Sequence, residues 1–248
     1  GIGWAGAFIV IGLGYRLQLY GDGAIFSYAV AVQDVWAFHW HNISGRLAVY
    51  IFSLRPAEAV VALTGSAAGG IVVYGLLWYA APLVGLAATY AADRSNGRVI
   101  FSYACFSTAL LCPLVFGFPT EMWLAHALFW PALAVSHHAR PGLGGTALVF
   151  AVFLALIFTH EGAVIFAAVI VATQGLRGLR DRAFLRAAAA FGVALAIWVA
   201  VKLTIRPDDY IASVLDRAAS NVFDIGILNG GLVRLLAGTL LGYGVAYV

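Results

Sequence analysis

The run Ser66–Ala92, SAAGGIVVYGLLWYAAPLVGLAATYAA, decides what kind of molecule this is. Its 27 residues carry no charged side chain. A helix rises about 1.5 Å per residue, and a bilayer core of about 30 Å needs about 20 apolar residues to cross it. The run meets that length with residues to spare, which predicts a transmembrane helix. Moving outward from it, comparable runs fall at 1–17, 99–117, 122–136, 143–159, 162–176, 187–205 and 231–248. Together they predict an all-α, polytopic bundle of about eight spans.

Composition agrees. Charged residues are 10% of the 248 and hydrophobic ones 63%, and mean hydropathy is +0.94. A soluble domain carries about 25% charge. Too few charges remain here to clothe a water-facing surface, which excludes a soluble enzyme, a nucleic-acid module, a disordered tail and a disulfide scaffold. The chain is expected to be one transmembrane domain over 1–248, a piece of a longer protein cut within apolar runs at both ends. Thirteen Arg against a single Lys, with abundant Ala and Gly, read as a GC-rich bacterial genome and hence a bacterial inner membrane.

Orientation comes from arginine. The segments 93–98, 137–142 and 177–186 hold seven Arg and alternate with Pro119-Thr120-Glu121, His160-Glu161-Gly162 and the 206–230 segment. Basic loops stay in the cytoplasm, so the second set faces the periplasm. Topology alone accounts for the Arg cluster at 177–186, and no nucleic-acid partner is implied. Nine of the eleven acids then face outward. Acids contribute little to topology. The bias is explained either by polar outward loops and helix N-termini or by a cleft opening on that face.

The first outward loop, 18–64, is long but not hydrophilic. Residues 23–40 predict one interfacial helix with Ser27, Asp34 and His41 on a common face and Trp36 and Trp40 as anchors. Residues 46–63 predict a second helix, kinked at Arg55-Pro56. Neither reads as a clean span.

Candidate chemistry concentrates on this face. Asp22, in Gly21-Asp22-Gly23, is placed to act as a general base or to begin a helix. Glu121 either serves a site or complements the dipole of its own helix. His160-Glu161 lies in a tight hairpin, and Val164 stands where a zinc-protease motif would need a second His. Arg46, Arg55, Lys202 and Arg206 could grip a lipid-linked phosphate or snorkel to the interface. Trp36, His39, Trp40 and His41 could hold a sugar or phosphate, or anchor the loop.

A membrane span, an acid in the first outward loop, interfacial helices in that loop, and then short-looped spans with outward acids form a recognisable order. It resembles the catalytic module of the C-type (GT-C) integral membrane glycosyltransferases. The resemblance is architectural and covers about residues 1–205. It implies sugar transfer from a polyprenyl-phosphate donor on the periplasmic face. It implies Asp22 as the catalytic carboxylate, with Glu121 and Glu161 as later-loop acids. The family often carries a pair of acids where this chain has Asp22 followed by Gly23. His41, Arg46, Arg55, His160 and Arg206 would bind substrate, and the resemblance allows a divalent metal ion. Expected partners are membrane lipids, the lipid-linked sugar donor and other membrane subunits. Two further readings stay open: an accessory or scaffold subunit of a larger membrane complex, and a transporter, against which the nearly charge-free span centres count.

Overall fold

The computed structural model of the chain describes residues 1–114, 120–176, 178–205, 212–213 and 216–217. Among them every regular element is helical. In order these are α1 (Ile2–Gly14), α2 (Asp22–Ala31), α3 (Val35–Asn42), α4 (Leu47–Val49), α5 (Arg55–Thr64), α6 (Ala67–Ala92), α7 (Val99–Leu114), α8 (Glu121–His138), α9 (Leu143–Ile157), α10 (Ala163–Gly175) and α11 (Arg182–Thr204). Gly1–Arg206 form one compact unit and Pro207–Val248 another, and all eleven helices belong to the first. The expected span 231–248 lies outside the described residues, as do Arg206 and most of the 206–230 segment.

Among the described residues three helices are long and apolar enough to cross a membrane: Leu47–Thr64, Ala67–Ala92 and Arg182–Thr204. The helices α1, α9 and α10 are apolar but only 13, 15 and 13 residues long. At 1.5 Å per residue they reach about 20–22 Å, short of a full bilayer core.

The first outward loop departs from expectation twice. The single helix over 23–40 is two helices, because Gln33 takes a left-handed φ of 58° and stops α2. The chain restarts at α3, where the N–H of Val35 donates to Oε1 of buried Glu58 at 3.3 Å. That cap comes from α5, so no local pattern announces it. The break also scatters the expected stripe: Ser27 is buried, while Asp34 and His41 are exposed.

The second departure is that Leu47–Thr64 runs as one helix of 18 residues. Helical structure continues through Pro56, and a π turn at Tyr50–Leu54 precedes the proline. Proline cannot donate to the carbonyl four residues back and crowds it. Widening the preceding turn absorbs that defect, and the helix carries on to Gly65, whose φ of 70° ends it.

The bundle is organised around α6. It takes α1, α2, α5 and α8 against its faces. Phe8 of α1 sits between Tyr79 and Trp123, at ring distances of 5.2 and 4.8 Å. Gly85 lets α6 and α8 nearly touch: a Cβ there would lie 2.3 Å from the Ala127 carbonyl oxygen. These contacts, with Asp93 beside His138, show α6 and α8 running parallel. A second core joins α8 to α9, α10 and α11 through Phe153, Leu156, Ala167, Ile170, Ala187, Ala190 and Ala194. The small residues among them, Ala167, Ala187, Ala190 and Ala194, let apolar helices approach closely where burial from water supplies no drive.

Two polar ends result. At one, Nε2 of His138 is 3.3 Å from Asp93, and Arg186 donates to the carbonyls of Ala139 and Arg140 at 3.2 and 3.1 Å. The other end gathers Arg46, Glu121, Glu161 and Lys202. The 18 residues of α8 separate the two by about 27 Å. The Arg-bearing loops thus share one end and the two described acid-bearing hairpins share the other, as the alternation of loops requires.

Candidate functional site

Four elements contribute to the acid end. Arg46 precedes α4, Glu121 opens α8, Glu161 lies between α9 and α10, and Lys202 is in the last turn of α11. The Arg46 guanidinium bridges both carboxylates. Its Nη1 pairs with Oε1 of Glu121, while Nη2 and Nε reach Oε2 of Glu161 at 2.9 and 3.2 Å. The second Glu161 oxygen accepts from Lys202 Nζ at 2.6 Å. Glu121 is 5% exposed and Arg46 19%. A buried charge is tolerated only when it is paired and hydrogen-bonded, and here two cations balance two carboxylates.

The surroundings fix this geometry. Gly45 has a φ of 83°, and a Cβ on it would sit 2.6 Å from Lys202 Cε. Its carbonyl accepts from Trp198 Nε1 at 3.1 Å, and the Lys202 ammonium lies 5.6 Å from the Trp198 ring centroid. The N–H of Ala48 donates to the Phe158 carbonyl at 3.0 Å, holding the start of α4 to the end of α9. Burial works against ionisation of Glu161, but Arg46 and Lys202 outweigh it and draw the carboxyl down to about 2. Burial and the Arg46 charge push the His160 imidazole down. Its Nδ1 accepts from the Gly162 N–H at 2.9 Å, which shapes the hairpin.

An aromatic group lies close by. His39 is 3% exposed and stacks with Trp36 and Tyr50 at 5.7 and 5.2 Å. Neither of its ring nitrogens has a partner among the described residues. Burial first, and then the charge of Lys202, lower it to about 4. The imidazole is neutral at neutral pH.

The structure brings together Arg46, Glu121, Glu161, His160 and Lys202, all nominated from sequence. Asp22 stands apart from this network. It is exposed, in the first turn of α2. Arg55 pairs with Glu58 three residues on and is 59% exposed; no described contact joins it to the network. His41 points to the surface while His39 is buried. The sequence signal for His39 was its place between Trp36 and Trp40, but the phase of α3 is set by the break at Gln33. No group of three His, Cys, Asp or Glu suited to a metal occurs among the described residues. With Glu121 and Glu161 engaged by cations, the donor set here does not fit a divalent ion.

Family models, curated proteins and solved structures were all compared with the chain, and none matches it.

Proposed function

We propose that this chain is a multi-pass bacterial inner-membrane protein of about eight spans that acts as a glycosyltransferase, taking a sugar from a polyprenyl-phosphate donor at its periplasmic face. The observation that supports this most is the convergence of Arg46, Lys202, Glu121 and Glu161 at the end away from the Arg-bearing loops, beside the aromatic faces of Trp36, His39 and Tyr50. Aromatic faces suit a sugar, and paired cations suit a phosphate.

On this reading Glu121 and Glu161 are positioning residues. They hold Arg46 and Lys202 extended until the donor phosphate takes over part of their hydrogen bonds. Asp22, exposed and outside the network, supplies the base. The acceptor hydroxyl gives its proton to Asp22, its oxygen bonds to the anomeric carbon, and the carbon–oxygen bond to the lipid phosphate breaks. The negative charge that develops on the leaving phosphate falls to Arg46 and Lys202.

The test is transfer from a polyprenyl-phosphate sugar to acceptor in proteoliposomes. Asp22→Asn is nearly isosteric and should lower turnover about 10²–10⁴-fold with folding intact. Wild-type turnover in Asp22→Asn would remove Asp22 from the chemistry. One observation favours a second reading, an accessory subunit: the four charges of the network cancel and tie four elements together, as a purely structural clamp would. Absence of transfer from any donor, together with stable co-purification in a larger complex, would establish that reading instead.

A further inference from the structure

Two cavities lie at the other end. One of about 820 Å³ opens between the end of α8, the 139–142 segment and the first turns of α11. Arg182 and Arg186 stand at its polar side, and Phe150, Ala189, Ala190 and Val193 form an apolar wall. A second, of about 740 Å³, lies across the same segment, with Arg94 and Arg140 at its polar side and Ala88, Ala92 and Leu148 along its wall.

The charges here differ from those at the acid end. Arg186 is partly engaged: two of its five donors hold the Ala139 and Arg140 carbonyls. Arg182 and Arg140 form no ion pair among the described residues. The one carboxylate lining the larger cavity, Asp181, is occupied as the N-cap of α11, where it accepts from the Ala183 N–H at 2.7 Å. The polar side is therefore net positive, and it sits directly above an apolar wall on a helix apolar enough to cross a membrane.

We infer that the larger cavity binds an anionic phospholipid of the leaflet meeting this end. Its headgroup phosphate would rest on Arg182 and Arg186, and an acyl chain would lie along Val193, Ala190 and Phe150. Basic pockets between spans suit anionic headgroups, and a planar guanidinium can hold a phosphate by two hydrogen bonds. A free phosphate offers the charge without the chain, and a neutral lipid offers the chain without the net charge. The geometry fits both parts together.

Native mass spectrometry of the detergent-purified chain, titrated with phosphatidylglycerol, phosphatidylcholine or inorganic phosphate, tests this. Phosphatidylglycerol should be retained at least about tenfold better than phosphatidylcholine, as two arginines facing one anionic headgroup require. Arg182→Gln should reduce that preference severalfold. Val193→Trp, which fills the apolar wall and leaves every charge in place, should weaken retention of phosphatidylglycerol as well. Arg186 is left alone because it also holds the 139–140 carbonyls. A matching melting temperature in neutral detergent shows that each variant is folded. Equal retention of the two lipids would overturn the inference. So would inorganic phosphate competing at the lipid's own concentration with no effect of Val193→Trp, which would leave a simple anion site.

Discussion

The two ends of the bundle handle charge in opposite ways. At the acid end, Arg46 and Lys202 are consumed by Glu121 and Glu161, and the charges sit among packed side chains. At the other, Arg182 and Arg140 line cavities without ion pairs among the described residues, and Arg186 gives two of its five donors to backbone carbonyls. The first arrangement is rigid and costly to break. The second leaves positive charge for something outside the chain. A chain with 10% charged residues thus places some of them as internal fasteners and others as an external handle.

The hardest blow to this contrast is removal of one fastener. Arg46→Gln leaves Glu121, 5% exposed, without its cation, and breaking a buried pair on one side costs about 3–5 kcal/mol. Arg186→Gln loses hydrogen bonds to two carbonyls in exposed and part-buried surroundings, where water replaces them and the net loss should be about 0.5–1.5 kcal/mol. Thermal unfolding in detergent should therefore rank Arg46→Gln as the more damaging. Equal losses would end the contrast.

Acid should act next. The Glu161 carboxyl is drawn down to about 2 by Arg46 and Lys202 against the cost of its burial. Its folded value lies below its unfolded one, so its contribution is complete above about pH 4.5 and drains away as pH falls toward 2. Melting temperature should drop across that window, and Glu161→Gln should flatten the drop. An unchanged profile in Glu161→Gln would mean the carboxylate is not linked to folding.

Gly45→Ala is the third test. The φ of 83° and the 2.6 Å approach of Lys202 Cε both oppose a Cβ. The left-handed backbone alone costs about 1–2 kcal/mol. Loss of that size at Gly45, with none at the exposed Gly144→Ala, would tie the effect to the site. The smallest expected effect is at His41. It is exposed, and His41→Ala should stay within about 0.5 kcal/mol. A larger change would show that α3 uses that face after all.

How far the sequence reached follows from the range of each interaction. The long apolar helices were legible because hydropathy is local: 66–92 and 187–205 appear as Ala67–Ala92 and within Arg182–Thr204. The residues of the acid end were legible as types, since Arg46, Glu121, Glu161 and His160 each stood out in an apolar chain. Their pairing was not, because Arg46 meets its partners across 75 and 115 positions. The break at Gln33 was hidden for the same reason. The carboxylate that caps α3 belongs to Glu58, 23 residues away, and with the break unseen, His41 stood out where the structure buries His39.

The π turn at Tyr50–Leu54 sets a rotational phase. It inserts one residue beyond the α-helical count between α5 and Arg46. Each residue of an α-helix turns it by about 100°. With α5 fixed by Ala57 and Val61 in the core, that extra residue determines which way Arg46 faces. Removing one residue from 50–54 would wind the turn back to α-helix and swing the guanidinium by about a quarter turn or more, away from Glu121. A length change in this short stretch is therefore felt at the ion network as a change of angle, so insertions and deletions there should be tolerated far less than point substitutions.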